Sequence, residues 1–464
     1  MSIPVAENNQ APAATPQTNE SDLKYAWYVV FVLMVCLTLS FIDRQILSML
    51  VDLIKRDLGI SDTDIGWLQG PAFALFYTFM GLPVGWLVDR YSRRSIISAG
   101  VFFWSLMTAL CAVAGSYWSL FAARVGVGVG EATLGPAAMS LTADYFPKEK
   151  LGGALSVYAM GIFIGSGLAL IVGGAVTDTV KEMPAITLPI LGEIASWRLT
   201  FLIVGLPGLL VGLLVYTVRE PLRRNLLRPA GGEAEGQTSH LSLSEVLSEM
   251  RLRWRSVVGV CVALSAQAAC NYAIFAWAPT YFLRVHGWTR RDTGLALGIM
   301  TLTAGIVGMY AGGKLCDRWV RQGVHEAPLK VGVVGAVWAG VFFGLAMIMP
   351  DLTWLLVLLV PAQFFLALPV GSSYAALQLI FPNQLRGQVA ALLAFTISLG
   401  GQSLGGLLPG VLNDRLFRDG NMVGWSLTLT VVLASIVSAT MFRVTYQPYR
   451  THYAWMQKLS QDAK

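Results

Sequence analysis

The chain has 464 residues, of which 55% are hydrophobic and only 13% charged, with a net charge of +6 and a mean hydropathy of +0.60. A soluble domain carries roughly 25% charged residues, so this composition excludes an ordinary soluble fold, and the long apolar runs point to a polytopic membrane protein. The positive balance does not indicate a nucleic-acid partner, because the Lys and Arg residues cluster in short loops between apolar runs, where membrane topology places them.

Residues 1–24 are polar and rich in Ala, Pro, Asn and Gln, without the basic start and short apolar core of a cleaved signal. They are expected to form a disordered tail. A membrane span needs ~20 mostly apolar residues. Twelve are predicted, at 26–51, 63–87, 95–114, 119–145, 152–176, 198–218, 256–283, 291–315, 330–349, 353–380, 388–412 and 424–444. The fold class is therefore all-α, with six spans on each side of one long polar stretch. The domains expected are an N-terminal six-helix bundle at 25–218, a linker at 219–255, a C-terminal bundle at 256–446 and a second tail at 447–464. The linker carries seven arginines, and Leu241–Met250 within it suits a short amphipathic surface helix. With the N-terminus inside, inner segments hold about 20 Lys and Arg residues and outer segments about 9. Both termini are thus expected in the cytoplasm, and in a bacterium the membrane would be the inner one.

The five cysteines form no CxxC pair and read as packing residues; no metal site or cofactor is expected. The four histidines fall in polar stretches, so any proton moved through the membrane must travel on carboxylates. HExxH and paired-histidine signatures are absent, which argues against an enzyme.

Four ionisable residues lie deep in apolar runs: Asp43 and Arg44 in the first span, Arg124 and Glu131 in the fourth. A charge at bilayer depth costs at least ~2.5–3.5 kcal/mol. Arg124 and Glu131 are seven apart, two turns along one helix face. Asp43 and Arg44 are adjacent and point about 100° apart, so each needs a partner on another helix. Asp43 near Arg124 and Arg44 near Glu131 are the natural pairings. A buried structural pair would explain the fourth span alone; two acids and two bases confined to two spans favour a proton and substrate site.

The loop GWLVDRYSRR, from Gly85 to Arg94, leaves the second span, and a weaker copy, Gly313-Lys-Leu-Cys-Asp317-Arg318, leaves the eighth. Repeated halves of six helices are the plan of a transporter that rocks around a central site. This loop resembles the signature of the major facilitator superfamily. The Asp-Arg pair in span one, FWSL in span three, RVGVGVGEA in span four, GSG in span five and REP after span six together resemble its Spinster-like lipid-transporter branch. Ser40-Phe41-Ile42 departs from the usual asparagine-aromatic lead-in to the Asp-Arg.

The resemblance implies a proton-coupled, alternating-access transporter, a monomer with membrane lipid around it and no nucleic-acid partner. Its substrate would be an anionic amphiphile such as a lysophospholipid or sphingoid phosphate. Proton/organic-anion symporters of the same superfamily, which move small carboxylates, are the alternative. In these terms Asp43 and Glu131 carry protons, while Arg44 and Arg124 hold the anionic head. Gly85, Asp89, Arg90, Arg93 and Arg94, with Asp144, Glu220, Asp317 and Arg318, form a cytoplasmic latch for the outward-facing state, with Gly85 allowing close helix approach. Asn271 follows Asp43 at the interval that separates Asp317 from Asp89. It is expected to face the site from the second half, with Tyr272 and Trp277 in a wall for the tail.

Overall fold

A computed structural model describes residues 20–182, 186–188, 192–221, 243–381 and 385–462. Nearly all of them are helical, as bilayer depth requires, since only a helix satisfies its own backbone groups there. The first half contains α1 (Glu20–Gln45), α2 (Val51–Leu58), α3 (Asp62–Gln69), α4 (Pro71–Arg90), α5 (Arg93–Leu110), α6 (Tyr117–Glu131), α7 (Leu134–Tyr145), α8 (Lys148–Glu182) and α9 (Ser196–Val215). A small hairpin, β1 (Ile186–Leu188) and β2 (Gly192–Ile194), precedes α9. The second half contains α10 (Leu243–Leu252), α11 (Trp254–Val285), α12 (Arg290–Met300), α13 (Ile306–Arg321), α14 (Ala327–Ile348), α15 (Leu352–Ala367), α16 (Ser372–Leu379), α17 (Arg386–Thr396), α18 (Ser403–Val411), α19 (Val423–Val444) and α20 (Tyr446–Asp462).

Among the described residues, 10 helices are long and apolar enough to cross a membrane. The fourth and tenth predicted spans are each two helices end to end. Pro136 explains the first break, between α6 and α7: it has no amide to offer the carbonyl of Ala132, where α6 stops. Pro369 stands in the second, between α15 and α16. Local signals set other boundaries. The Ser61 hydroxyl accepts from the Asp64 amide while the Asp64 carboxylate accepts from the Ser61 amide, a capping box that starts α3.

Two expectations are corrected. Residues 20–24 belong to α1, so the tail expected to be disordered over 1–24 is helical at its end, and the second tail is helical over 446–462. The rest of the N-terminal tail, 1–19, and linker residues 222–242 lie outside the described residues; the linker helix itself is α10, two residues later than expected.

The halves meet mainly where α3 packs on α18 and α8 on α12, toward the face away from the termini. These contacts are backbone-close. A Cβ on Gly70 would stand 2.7 Å from the Ser403 carbonyl oxygen, and one on Gly294 2.2 Å from that of Leu170. Only glycine permits such approach. Toward the face carrying the termini, Gly85, Gly152, Gly153 and Gly313 look into open space. The two halves are sealed at one face and parted at the other.

The last helix, α20, is docked on the second half. The Tyr449 hydroxyl donates to the Ala376 carbonyl at 3.0 Å, and Arg450 grips Glu326 with two donors, Nε at 2.7 Å. Arg450, with Lys330 behind it, holds the Glu326 carboxyl down to about 2. A depressed carboxyl stabilises above its ordinary value and loses that contribution as pH falls through the folded value. The Glu326 contribution, measured as the difference in α20 amide exchange between the native chain and Glu326→Gln, is expected to hold from neutral pH to about 4.5 and to vanish toward about 2. A difference already lost in weakly acidic solution would contradict it.

Candidate functional site

The four buried charges converge where α1 meets α6. Arg44 Nε donates to Glu131 Oε2 at 2.5 Å, and the Ser40 hydroxyl donates to the same oxygen at 2.5 Å. The residue that departs from the branch pattern thus serves as a ligand of the buried glutamate. The Arg44–Glu131 pairing is the one the sequence suggested. The other is corrected: Arg124 Nη1 donates to the backbone carbonyl of Asp43 at 3.1 Å, not to its carboxylate. Adjacent residues diverge around a helix, so α1 turns Arg44 to Glu131 and the Asp43 side chain toward Trp104 of α5. Both Asp43 carboxylate oxygens, Arg124 Nε and Glu131 Oε1 are buried without a hydrogen-bond partner among the described residues.

Arg44 is the member that faces outward from this cluster. Its side chain is 10% exposed, against 0% for Glu131. Its guanidinium lies 4.3 Å from the Phe73 ring centre, 4.9 Å from Phe41 and 5.0 Å from Tyr77, an aromatic cradle for a weakly hydrated cation. Tyr272 of α11 reaches the same guanidinium from the second half. Asn271, also half-buried, donates from Nδ2 to the Gln267 carbonyl of its own helix at 3.2 Å. Trp277 is not in this wall. It is fully buried between α11 and α18, and its indole donates to the Gly406 carbonyl at 2.8 Å. Six residues along a helix turn about 120° away, so Asn271 and Trp277 face different neighbours.

The loop charges form a second cluster. Arg93 is buried at the start of α5 and joins Asp144 of α7 and Glu220 beyond α9, the latter at 2.8 Å from Nε. Ser92 and the Arg94 amide also donate to Glu220, at 3.0 and 2.9 Å. Against the cost of partial burial, the Arg94 amide, Arg93 and Ser92 hold the Glu220 carboxyl below its usual range. Through these contacts the cluster joins α5, α7 and the segment after α9, all in one half. Arg90 stacks over Trp86 at 4.0 Å. Asp89, Asp317 and Arg318 are exposed, and Gly85 has no close neighbour in this arrangement, in which the halves are parted here.

The charges that do cross between halves were not found from the sequence. Arg284, in the last turn of α11, makes two parallel hydrogen bonds to Asp62 of α3, both 2.8 Å, and one to Asp52 at 2.8 Å. Asp62 is fully buried; Lys55 also pairs with it, and Asn413 donates to it at 3.0 Å. Beside it, Asp414 accepts from the Thr63 amide and hydroxyl, both 2.6 Å. Two faint signals existed: an arginine closing an apolar run on the cation-poor side, and the acid-rich SDTD opening the second span.

Paired charges at bilayer depth in one of two helical halves that are sealed at one face and parted at the other define a multi-pass membrane transporter. Residues 33–406 match the family model of the Major Facilitator Superfamily, and the chain belongs to that superfamily. It is 27% identical to an MFS-type efflux pump of Mycolicibacterium smegmatis, over 95% of this chain and 98% of that one. It is 25% identical to the Probable galactarate/D-glucarate transporter GudP of Bacillus subtilis, over 79% of each. With the mouse (Mus musculus) sphingosine-1-phosphate transporter SPNS2 it shares 26% identity, over 66% of this chain and 54% of the mouse protein. Its fold is similar to the crystal structure of a bacterial homolog of the human lysosomal transporter Spinster in an inward-facing, unoccupied conformation, with a TM-score of 0.75 and 24% identity over 93% of this chain and 98% of that one. Within the superfamily the chain resembles the Spinster-like branch.

Removing one partner of a buried ion pair costs about 3–5 kcal/mol, because the other charge stays buried. Arg284→Gln is therefore expected to shift the population toward separation of the face away from the termini. Spin labels near Gly59 and Asn421 report it: the native pair should show one short distance, and the variant an added longer one. An unchanged distribution would remove Asp62–Arg284 as the lock.

Proposed function

We propose that this chain is a proton-coupled, alternating-access transporter of an anionic amphiphile such as a lysophospholipid or sphingoid phosphate. The observation that carries the reading is Arg44: a guanidinium in an aromatic cradle, shared between a buried glutamate and the seam of the halves, within reach of Tyr272. An anionic head entering the parted face competes with Glu131 for Arg44. Arginine suits it, since its fork binds phosphate with two donors.

In this scheme the four charges are balanced by protons. Asp43, its carboxyl turned to the Trp104 indole, holds a proton in this arrangement and releases it when the halves rearrange. Glu131 stays ionised while Arg44 and Ser40 bind it, and takes a proton when the substrate claims Arg44. Arg124 steadies α1 through the Asp43 carbonyl. Binding of anion and proton is thereby linked, and a ligand shifts the halves only as far as it prefers one arrangement over the other. The termini lie in the cytoplasm of this reading, so the parted face is the inner one and the Asp62–Arg284 lock closes the outer face. The Arg93–Asp144–Glu220 cluster and the exposed loop charges re-form contacts between halves when the inner face closes. A small carboxylate is the second reading, supported by the likeness to the galactarate/D-glucarate transporter.

Reconstituted flux tests this. A lysophospholipid or sphingoid phosphate should move faster with a proton gradient than without, and a small sugar acid should not compete. Asp43→Asn should abolish uphill movement while leaving exchange measurable, and Arg44→Gln should weaken substrate binding about tenfold or more, the loss of a charged hydrogen bond. Preference for the sugar acid would replace the lipid reading. A full gradient response in both Asp43→Asn and Glu131→Gln would end the proton scheme.

A further inference from the structure

A polar cavity of about 440 Å³ opens at the face carrying the termini, far from the seam between the halves. Leu252, Trp254 and Arg255, from the junction of α10 and α11, form one wall; Gln447, Pro448, Thr451 and His452, from the first turns of α20, form the other. Its depth is fixed by the helices beside it: α11 becomes a candidate span at Trp254, and α19 ends its own at Val444. The cavity therefore sits at the level of lipid head groups.

Its walls are rigid. His452 Nδ1 is hydrogen-bonded to the buried Ser256 hydroxyl at 2.9 Å, which leaves Nε2 as the ring's remaining polar atom. Behind it, Arg253 is 1% exposed, pairs with Glu249 and lies between the rings of Phe381 and Trp455, 5.1 and 4.6 Å away. With Arg450 on Glu326, this fixes α20 against α10 and α11 before any ligand arrives.

Its chemistry is one-sided. No carboxylate lines it, and Arg255, exposed and resting 5.6 Å from the Trp254 ring, has no ion pair among the described residues. The polar cavity at the opposite face differs, with Asp52 and Asp419 among its lining cations. Leu252 and Trp254, 65% and 55% exposed, offer apolar surface next to the cation. A cation, neutral donors and an indole at head-group depth match the phosphodiester and upper acyl chain of a lipid.

We propose that this cavity binds one anionic glycerophospholipid, its phosphodiester on Arg255 with His452 as a further donor, and its acyl chains along Leu252 and Trp254. This lipid site is separate from the transport site at Arg44, and it ties the helix that enters the second half to the helix that ends the chain.

Native mass spectrometry of the full chain in detergent tests the site, titrating phosphatidylglycerol against phosphatidylcholine. The native protein should take up one tightly held phosphatidylglycerol and no comparable phosphatidylcholine. Arg255→Gln should weaken that affinity about fivefold, the value of one interfacial cation, with its lipid-free melting temperature unchanged. His452→Gln should weaken it in the same direction. Arg443→Gln, which removes a nearby interfacial cation outside the cavity, should leave it alone. The proposal is overturned if Arg255→Gln binds as the native chain does, if Arg443→Gln loses as much, or if inorganic phosphate at equal concentration displaces the lipid.

Discussion

One buried ion pair organises the functional half of this molecule. Arg44 and Glu131, 2.5 Å apart, join the first and fourth spanning segments at a depth where neither charge is tolerable alone. The pair leaves charge-handling capacity unspent: among the described residues, neither carboxylate oxygen of Asp43 beside it has a hydrogen-bond partner, and only one oxygen of Glu131 has one. A fully satisfied network would rigidify the helices; this one is incomplete where a proton and an anion would complete it. Because Arg44 also lies against Tyr272 of the second half, the state of one ion pair is felt across the seam.

Around that pair, two kinds of contact divide the work. Glycine-lined backbone packing at Gly70 and Gly294 allows the halves to meet closely at one face, and the Asp62–Arg284 cluster holds them there. The Arg93–Asp144–Glu220 cluster instead keeps three helices of one half together while the other face is parted. One face is held by charges that bridge the halves; at the other, Asp317 and Arg318 stand exposed. In a transporter that alternates, each face needs its own breakable contact.

The spans were legible because lipid imposes length and apolarity on every segment, whatever its neighbours. The four deep charges were legible by their cost, and the partnership of Arg93 with Asp144 and Glu220 by their shared face. What the sequence concealed was mostly rotation and long-range pairing. Trp277 sits in the same aromatic run as Tyr272, but helix periodicity turns it into the α18 contact. Arg284 and Asp62 are more than two hundred residues apart, and neither reads as unusual at a span end. Arg124 bonds the backbone of Asp43 and not its side chain, a distinction no pattern of residue types records. The docking of α20 depends on Glu326 and Ala376, whose sequence surroundings gave no reason to expect a partner from α20.

The central claim is that substrate anion and Glu131 compete for Arg44, so that binding takes up a proton. Calorimetric titration of a lysophospholipid or sphingoid phosphate, in buffers of different ionisation enthalpy at one pH, measures that proton directly. The account predicts a binding enthalpy that varies with the buffer as uptake of about one proton requires, and the loss of that variation in Glu131→Gln with binding retained. Binding with no dependence on buffer in the native protein would contradict it.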